Sequence, residues 1–325
     1  MNVLLNQISR AAALSVALFS LMILISCGGG GATSSPANSP TPGAANPAPP
    51  QPATPQATVV MVMEENHSYE QVIGNASMPY VNSLAQQGAV ATQYYADMHP
   101  SIPNYFALTT GATVTNDNNF PGPVSSDNLA RELNAAGKTW KVYAEDLPSP
   151  GYLGSSVGNY IKHHNPFTYF SDVVSDPSQA ANIVPFTQFA SDLGAGRLPA
   201  FSFVVPNLPD DAHSCATGVT CDDNTLLAGA DQWLKNNIAP LLANPQFQRA
   251  GLLLIVFDES NLTDLRRGGG RVPLIAAGPK AKAGAQSAVT YAHENTLKTI
   301  CSVLNLTTCP GSAASVNAEG DLVQP

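Results

Sequence analysis

The sequence predicts an α/β domain over residues 58–325, a three-layer sandwich with a mainly parallel central sheet. Short, continuous apolar runs rich in β-branched residues recur along the chain, as strands buried on both faces require. Capped or amphipathic segments of helical length stand between them, the alternation that winds into a parallel sheet. Hydrophobic residues make up 44% of the chain, which is ample for one large core and excludes wholesale disorder.

The elements follow in order. Ala57–Met63 (ATVVMVM) is a buried strand. Pro79–Gly88 is a helix closing on glycine. Ser101–Thr110 opens on Ile-Pro, and a helix tolerates Pro103 in its first turn. Asp127–Gly137 has an Asp at its cap and a Gly at its end. Thr139–Ala144 and Ala200–Val205 are strands, and Leu226–Leu242 is a long amphipathic helix. Gly251–Phe257 (GLLLIVF) is the strongest strand, Val272–Ala277 another, and Glu294–Leu304 a closing helix.

Residues 1–27 read as a targeting segment: Arg10, an apolar run from Ala11 to Ile25, then Leu24-Ile25-Ser26-Cys27. That ending resembles a bacterial lipobox, which implies lipidation of Cys27. Gly28, rather than Asp, follows it and implies outer-membrane sorting. Residues 28–57 lack charge and large apolar side chains, and read as a tether outside the fold. The expectation is an exported bacterial lipoprotein that touches the membrane by its lipid anchor only. Lys+Arg number 14 against Asp+Glu 23, for a net charge of −9. That balance excludes a nucleic-acid coat, which needs a basic stripe. Cys215, Cys221, Cys301 and Cys309 allow three pairings. Local spacing favours Cys215–Cys221 and Cys301–Cys309, each worth roughly 2 kcal/mol by loop entropy. Zinc is discounted because no CxxC pair is present.

Ligands of such sheets sit beyond the carboxyl ends of the strands. The first strand runs into Glu64-Glu65-Asn66-His67 and the strongest into Asp258-Glu259. Acids converging from two strand ends suit one or more divalent cations, whose identity the donors leave open. Ser101, at the mouth of a helix, reads from spacing alone either as an N-cap or as a nucleophile near unpaired N–H groups. Asp210-Asp211-Ala212-His213 follows another strand. Lys162-His163-His164-Asn165 is a candidate anion site.

At these residues the chain resembles the bacterial phosphoesterase family of acid phosphatases and phospholipases C, within the alkaline phosphatase superfamily. The matching stretches are VVMVMEENHSYEQVIGN (59–75), HPSIPNYFALTTG (99–111), WKVYAEDLP (140–148), HHNPFTYF (163–170), FVVPNLPDDAH (203–213), LLIVFDES (253–260), RVPLIAAGPKAK (271–282) and YAHENTLKTI (291–300). The resemblance implies a nucleophile at Ser101 and a metal held by Glu65, Asn66, Asp258 and Glu259. It implies phosphoryl binding or proton transfer by His164 and His213, with His99, Asn104, Lys162, His163, Asn165 and His293 around the substrate. The family's Asn-Asp-Met-His is Asp210-Asp211-Ala212-His213 here, a partial departure from the pattern. The implied function is a metal-dependent acid phosphatase acting on small phosphomonoesters through phosphoserine. Protonated imidazoles holding the phosphate would favour mildly acidic pH. A phospholipase C and a non-catalytic surface lipoprotein are the alternatives. Gly154–Gly158 matches GxSxG, but a loop precedes it where a nucleophile elbow needs a strand. Gly268-Gly269-Gly270 lacks the context of a phosphate loop and reads as a flexible turn.

Overall fold

The computed structural model describes residues 56–325. Cys27, the leader and all but the last two residues of the tether lie outside the described residues. Among the described residues no helix is long and apolar enough to cross a membrane.

The strands, in chain order, are β1 (Thr58–Glu64), β2 (Ala89–Ala91), β3 (Tyr94–Tyr95), β4 (Trp140–Ala144), β5 (Ile183–Pro185), β6 (Phe201–Val205), β7 (Gly251–Phe257), β8 (Leu274–Ala277), β9 (Ala285–Ser287) and β10 (Tyr291–Ala292). An eight-stranded sheet has the order β5-β4-β6-β1-β7-β8-β2-β9, and β3 pairs with β10 beside it. Pairing is parallel throughout the main sheet except at β8, which runs against both β7 and β2. Every residue of β1 and β7 is buried. Successive strand residues face opposite sides, so both faces of the sheet's centre are covered. Two-sided burial is why these strands read as unbroken apolar runs rather than alternating ones.

Helix Ser101–Thr110 packs against helix His293–Val303, and helix Pro79–Gln87 against helix Asp223–Asn237 and β8. Ser101–Thr110 is buried along its whole length, so its apolar residues surround the axis rather than forming one stripe. It ends at Gly111 (φ 65°), where a Cβ would meet the Pro310 carbonyl oxygen at 2.4 Å. Only glycine satisfies both the left-handed turn and that approach.

Several expected elements shift. The helix expected over Leu226–Leu242 is two: Asp223–Asn237, capped by Asp222 accepting from the Thr225 N–H, and Ala239–Leu242. Pro240 separates them, because it lacks an N–H and restricts the residue before it. The cap expected at Asp127 is Asn128, whose Oδ1 accepts from the Arg131 N–H at 3.0 Å. Pro273 delays β8 to Leu274. The glycine run is packed rather than flexible: a Cβ on Gly270 would lie 1.9 Å from Ser260 Oγ, and one on Gly268 2.1 Å from the Asp97 carbonyl oxygen. Disulfides join Cys215 to Cys221 and Cys301 to Cys309, the local pairing the spacing favours.

Candidate active site

β6, β1 and β7 are neighbours, so their carboxyl ends bring Asp211, Glu65 and Asp258 to one edge. Backbone bonds lock the junction: Glu65 N–H donates to the Asp211 carbonyl at 2.8 Å, and Asp258 N–H to the Glu64 carbonyl at 3.0 Å. Asn66 turns the chain at φ 53°, a region that asparagine tolerates better than most residues. Its backbone N–H donates to Asp258 Oδ1 (3.1 Å) and its amide to Glu65 Oε2 (3.0 Å).

Ser101 is the first residue of its helix, and Pro100 holds the cap position. Its Oγ does not cap; it lies 3.1 Å from Glu65 Oε2 and 3.0 Å from Glu259 Oε1. Tyr105 follows one turn later on the same helix face. Its hydroxyl donates to Glu65 Oε1 at 2.5 Å, and its ring stacks on His164 with centroids 5.2 Å apart. His164 sits 3.2 Å from Glu65 Oε1 and 3.4 Å from Asp211 Oδ2. Asp211 Oδ1 accepts from the His213 N–H at 2.8 Å, which fixes the His213 loop. Glu65, His164 and His213 offer donor atoms that all lie within 4.8 Å of one another. A cleft of about 520 Å³ opens over Ser101, with Asn66, His67, Asn118, His213 and Glu259 among its walls.

The electrostatics are set by burial. Desolvation, reinforced by neighbouring acids, pushes Glu64, Glu65, Asp211 and Asp258 well above the usual carboxylate range; burial takes Glu259 to about 7. Among the described residues no Lys or Arg pairs with these acids; histidines alone do, His99 with Glu259 and His164 with Glu65 and Asp211. Both oxygens of Glu64 and Asp258 Oδ2 have no hydrogen-bond partner, and His164 approaches Glu65 Oε1 and Asp211 Oδ2 without hydrogen-bond geometry. Mutually repelling, partnerless buried groups are costly. A divalent cation relieves both penalties at once, so this donor set of carboxylates, an amide and imidazoles fits one.

The imidazoles correct one expectation. Burial pushes His164 well below its usual range and His163 to about 4. Neutral rings, not imidazolium, therefore line this side, and a preference for acid would need another source.

Further expected substrate contacts are corrected. Asn104 is fully buried and clamps its own loop: Oδ1 accepts from the N–H groups of Asp97 and Met98, and Nδ2 donates to the carbonyls of Met98 and Pro100. It has no group left for substrate. His293 is equally buried, with Nδ1 on the Tyr94 hydroxyl and Nε2 on the Asp258 carbonyl. Asn165 is buried against the Tyr160 hydroxyl. Lys162 lays its ammonium over the Tyr169 ring, 4.9 Å from the centroid. His99 spans Glu259 and the Asp264 carbonyl, a support for Glu259. His163 stands edge-on to His164, outside the cleft walls. Tyr105 was not expected here; its signal is the i+4 spacing from Ser101. The GxSxG serine, Ser156, accepts from the Lys162 N–H within a loop, with no strand before it.

A model of the Phosphoesterase family matches residues 75–307. The chain belongs to that family. As a family member it is a phosphoric ester hydrolase. It is 35% identical over 265 residues to a phosphatidylinositol-3-phosphatase of Mycobacterium tuberculosis, covering 81% of this chain and 80% of that protein. It is 32% identical to an acid phosphatase of Aspergillus fumigatus over 73% of this chain, and spans 52% of that longer protein. The fold is similar to that of an alkaline phosphatase superfamily protein from Vibrio parahaemolyticus. There the TM-score is 0.53 at 14% identity, with 77% of this chain and 67% of that one covered.

Proposed function

We propose that this phosphoesterase is a divalent-cation-dependent phosphomonoesterase of the acid phosphatase type, with Ser101 as its nucleophile. The observation that carries the reading is the Ser101 hydroxyl held between Glu65 and Glu259 on the wall of the cleft. Glu65, Asn66, Asp258 and Glu259 would hold the cation, with His164 and His213 facing Glu65 from the other side. Bound there, it supplies positive charge that lowers the cost of the serine alkoxide and of charge on the phosphoryl oxygens.

Glu259, whose Oε1 lies 3.0 Å from Ser101 Oγ, takes its proton. Oγ then attacks phosphorus and the ester P–O bond breaks, leaving the phosphoryl group on Ser101. His213, the exposed imidazole on the cleft wall, would orient a water that gives the leaving oxygen its proton. The hydroxide so formed cleaves the phosphoserine, and Glu259 returns its proton to Ser101 Oγ. His164, buried between Glu65 and Asp211, would hold these two acids toward the cation. Serine is too weak a nucleophile without such help.

Turnover of p-nitrophenyl phosphate, with and without EDTA, tests this on wild type and Ser101→Ala. Chelator-sensitive hydrolysis that vanishes in the variant is expected. The absence of metal-dependent turnover at any pH would leave the non-catalytic alternative standing. A panel adding phosphatidylinositol 3-phosphate and phosphatidylcholine separates a lipid monoesterase from a phospholipase C; the mycobacterial relative motivates the first of these. We also propose lipidation at Cys27 ahead of the tether, with the catalytic domain from 58 onward. Labelled palmitate incorporated by wild type and lost in Cys27→Ser would support it; equal labelling would sink it.

A further inference from the structure

Behind the acid edge a buried hydrogen-bond chain runs from Asp258 to a distant carboxyl. His293 Nε2 lies 2.6 Å from the Asp258 carbonyl oxygen, and His293 Nδ1 lies 2.8 Å from the Tyr94 hydroxyl. The Tyr94 oxygen lies 2.7 Å from Thr296 Oγ1, which lies 2.7 Å from Glu319 Oε1. All four side chains are inaccessible to solvent. Glu319 is anchored through its backbone: its N–H donates to Thr299 Oγ1 at 2.8 Å, and its carbonyl accepts from the N–H groups of Leu322 and Val323.

Counting protons along this chain gives it a direction. A carbonyl only accepts, so His293 Nε2 carries a hydrogen. Nδ1 of the neutral ring must then accept from Tyr94. With its proton spent there, the Tyr94 oxygen must accept from Thr296, and Thr296 must in turn accept from Glu319. The chain closes only when Glu319 carries a proton. An ionised Glu319 would draw the Thr296 hydrogen to itself, leaving two oxygens 2.7 Å apart with no hydrogen between them. Imidazolium His293 with carboxylate Glu319 holds the same number of protons. It buries two separated charges, which desolvation strongly disfavours. The free Glu319 Oε2, buried without a partner, is tolerable on a carboxylic acid and expensive on a carboxylate.

We propose that Glu319 works as a buried carboxylic acid, a positioning residue whose proton directs the Thr296–Tyr94–His293 chain and so holds the Asp258 backbone in place. The proposal rests on the catalytic reading of Asp258 above. Burial also raises Glu319 to about 7. The titratable groups around it are Tyr94 and Tyr291 from the two short strands and Asp321 from its own segment, with Asp97, His293 and Glu294 beyond Tyr94. Lys282 reaches that segment at the Gly320 carbonyl. The chain is complete in acid and loses its last donor as pH rises through about 7. The lowered values of His163 and His164 leave room for such a source of acid preference.

Glu319→Gln is the decisive variant, because its amide donates to Thr296 at every pH. On p-nitrophenyl phosphate its kcat in acid should stay within about threefold of wild type, while the alkaline fall in rate moves up by about one pH unit or more. Glu319→Ala should lower kcat about tenfold with KM little changed, the pattern of a lost transition-state arrangement. In a Tyr94→Phe background the Gln substitution should no longer move the pH profile, since the chain is already cut. Thermal melts from pH 5 to 8 need no turnover: wild type should lose melting temperature across this range and Glu319→Gln should lose less. Gln behaving like Ala, or a Gln melt with the wild-type slope, would overturn the proposal. A wild type without turnover would instead defeat the catalytic reading, and the melts would still decide the state of Glu319.

Discussion

The two edges of the central sheet carry opposite chemistry. At the carboxyl ends of β6, β1 and β7, acids are buried, crowd one another and have no Lys or Arg partner among the described residues. At the opposite edge, Lys138, Arg249 and Lys280 line an open cleft of about 620 Å³ that contains no acid. The second cleft is the larger, yet its lining includes no buried acid. Size does not mark the working edge; uncompensated desolvation does. A protein retains buried, partnerless carboxylates only where something outside its own side chains repays their cost.

That contrast can be broken in several ways. Removing the cation by chelation, or replacing Asp258 with Asn, should cut p-nitrophenyl phosphate turnover by about 10³-fold or more. Full activity after exhaustive chelation would detach the acids from the chemistry. Asn104→Ala should cost roughly 3 kcal/mol in a urea melt, because it orphans buried backbone groups of the Asp97–Pro100 loop. A stable variant with raised KM would restore Asn104 as a substrate contact. Opening Cys301–Cys309 by a double serine replacement should cost roughly 2.5 kcal/mol from loop entropy over its separation of 8 residues.

The pH dependence of the metal-free protein sharpens the comparison further. The folded values of Glu65, Asp258 and Glu259 are raised. The stability that comes from keeping them protonated is therefore full below the ordinary values, 4.5 for the two glutamates and 3.8 for Asp258, and is lost as pH rises through the folded ones, about 7 for Glu259. Metal-free protein should melt higher at pH 5 than at pH 8, and a saturating divalent cation should flatten or reverse that slope. A slope unchanged by any divalent ion would argue against a cation at this edge. The smallest effect belongs to the opposite edge: Lys138→Ala and Arg249→Ala should each change stability by no more than about 0.5 kcal/mol and leave turnover intact.

The sequence showed strands where burial is two-sided and long. GLLLIVF maps onto β7 without a shift, and the motif at Ser101 maps onto its helix. It missed β2, β3, β5, β9 and β10, which are at most three residues long and too short to show a period. Among site residues, Ser101, Glu65, Asn66, Glu259 and His213 line or edge the cleft because strand ends and a helix mouth are legible positions. Asn104, Asn165 and His293 carry the same polar atoms, but backbone groups and buried hydroxyls claim them or close over them. No one-dimensional pattern distinguishes a side chain aimed into a cleft from one turned the other way to satisfy a loop.

The sequence by itself determined the α/β class, the excess of acid over base, the local disulfide pairing and the acids at strand ends. These follow from periodicity, composition and short separations, all of which are local. Only the tertiary structure decided that β1 lies between β6 and β7, and so that Asp211, Glu65 and Asp258 share one edge. It also decided that His163 and His164 are held below the usual imidazole range, because desolvation depends on what surrounds a ring rather than on its neighbours in the chain. The link from Asp258 to Glu319 joins two distant positions and closes through Tyr94, far earlier in sequence. A hydrogen-bond direction of that kind exists only once the fold has put donor and acceptor face to face.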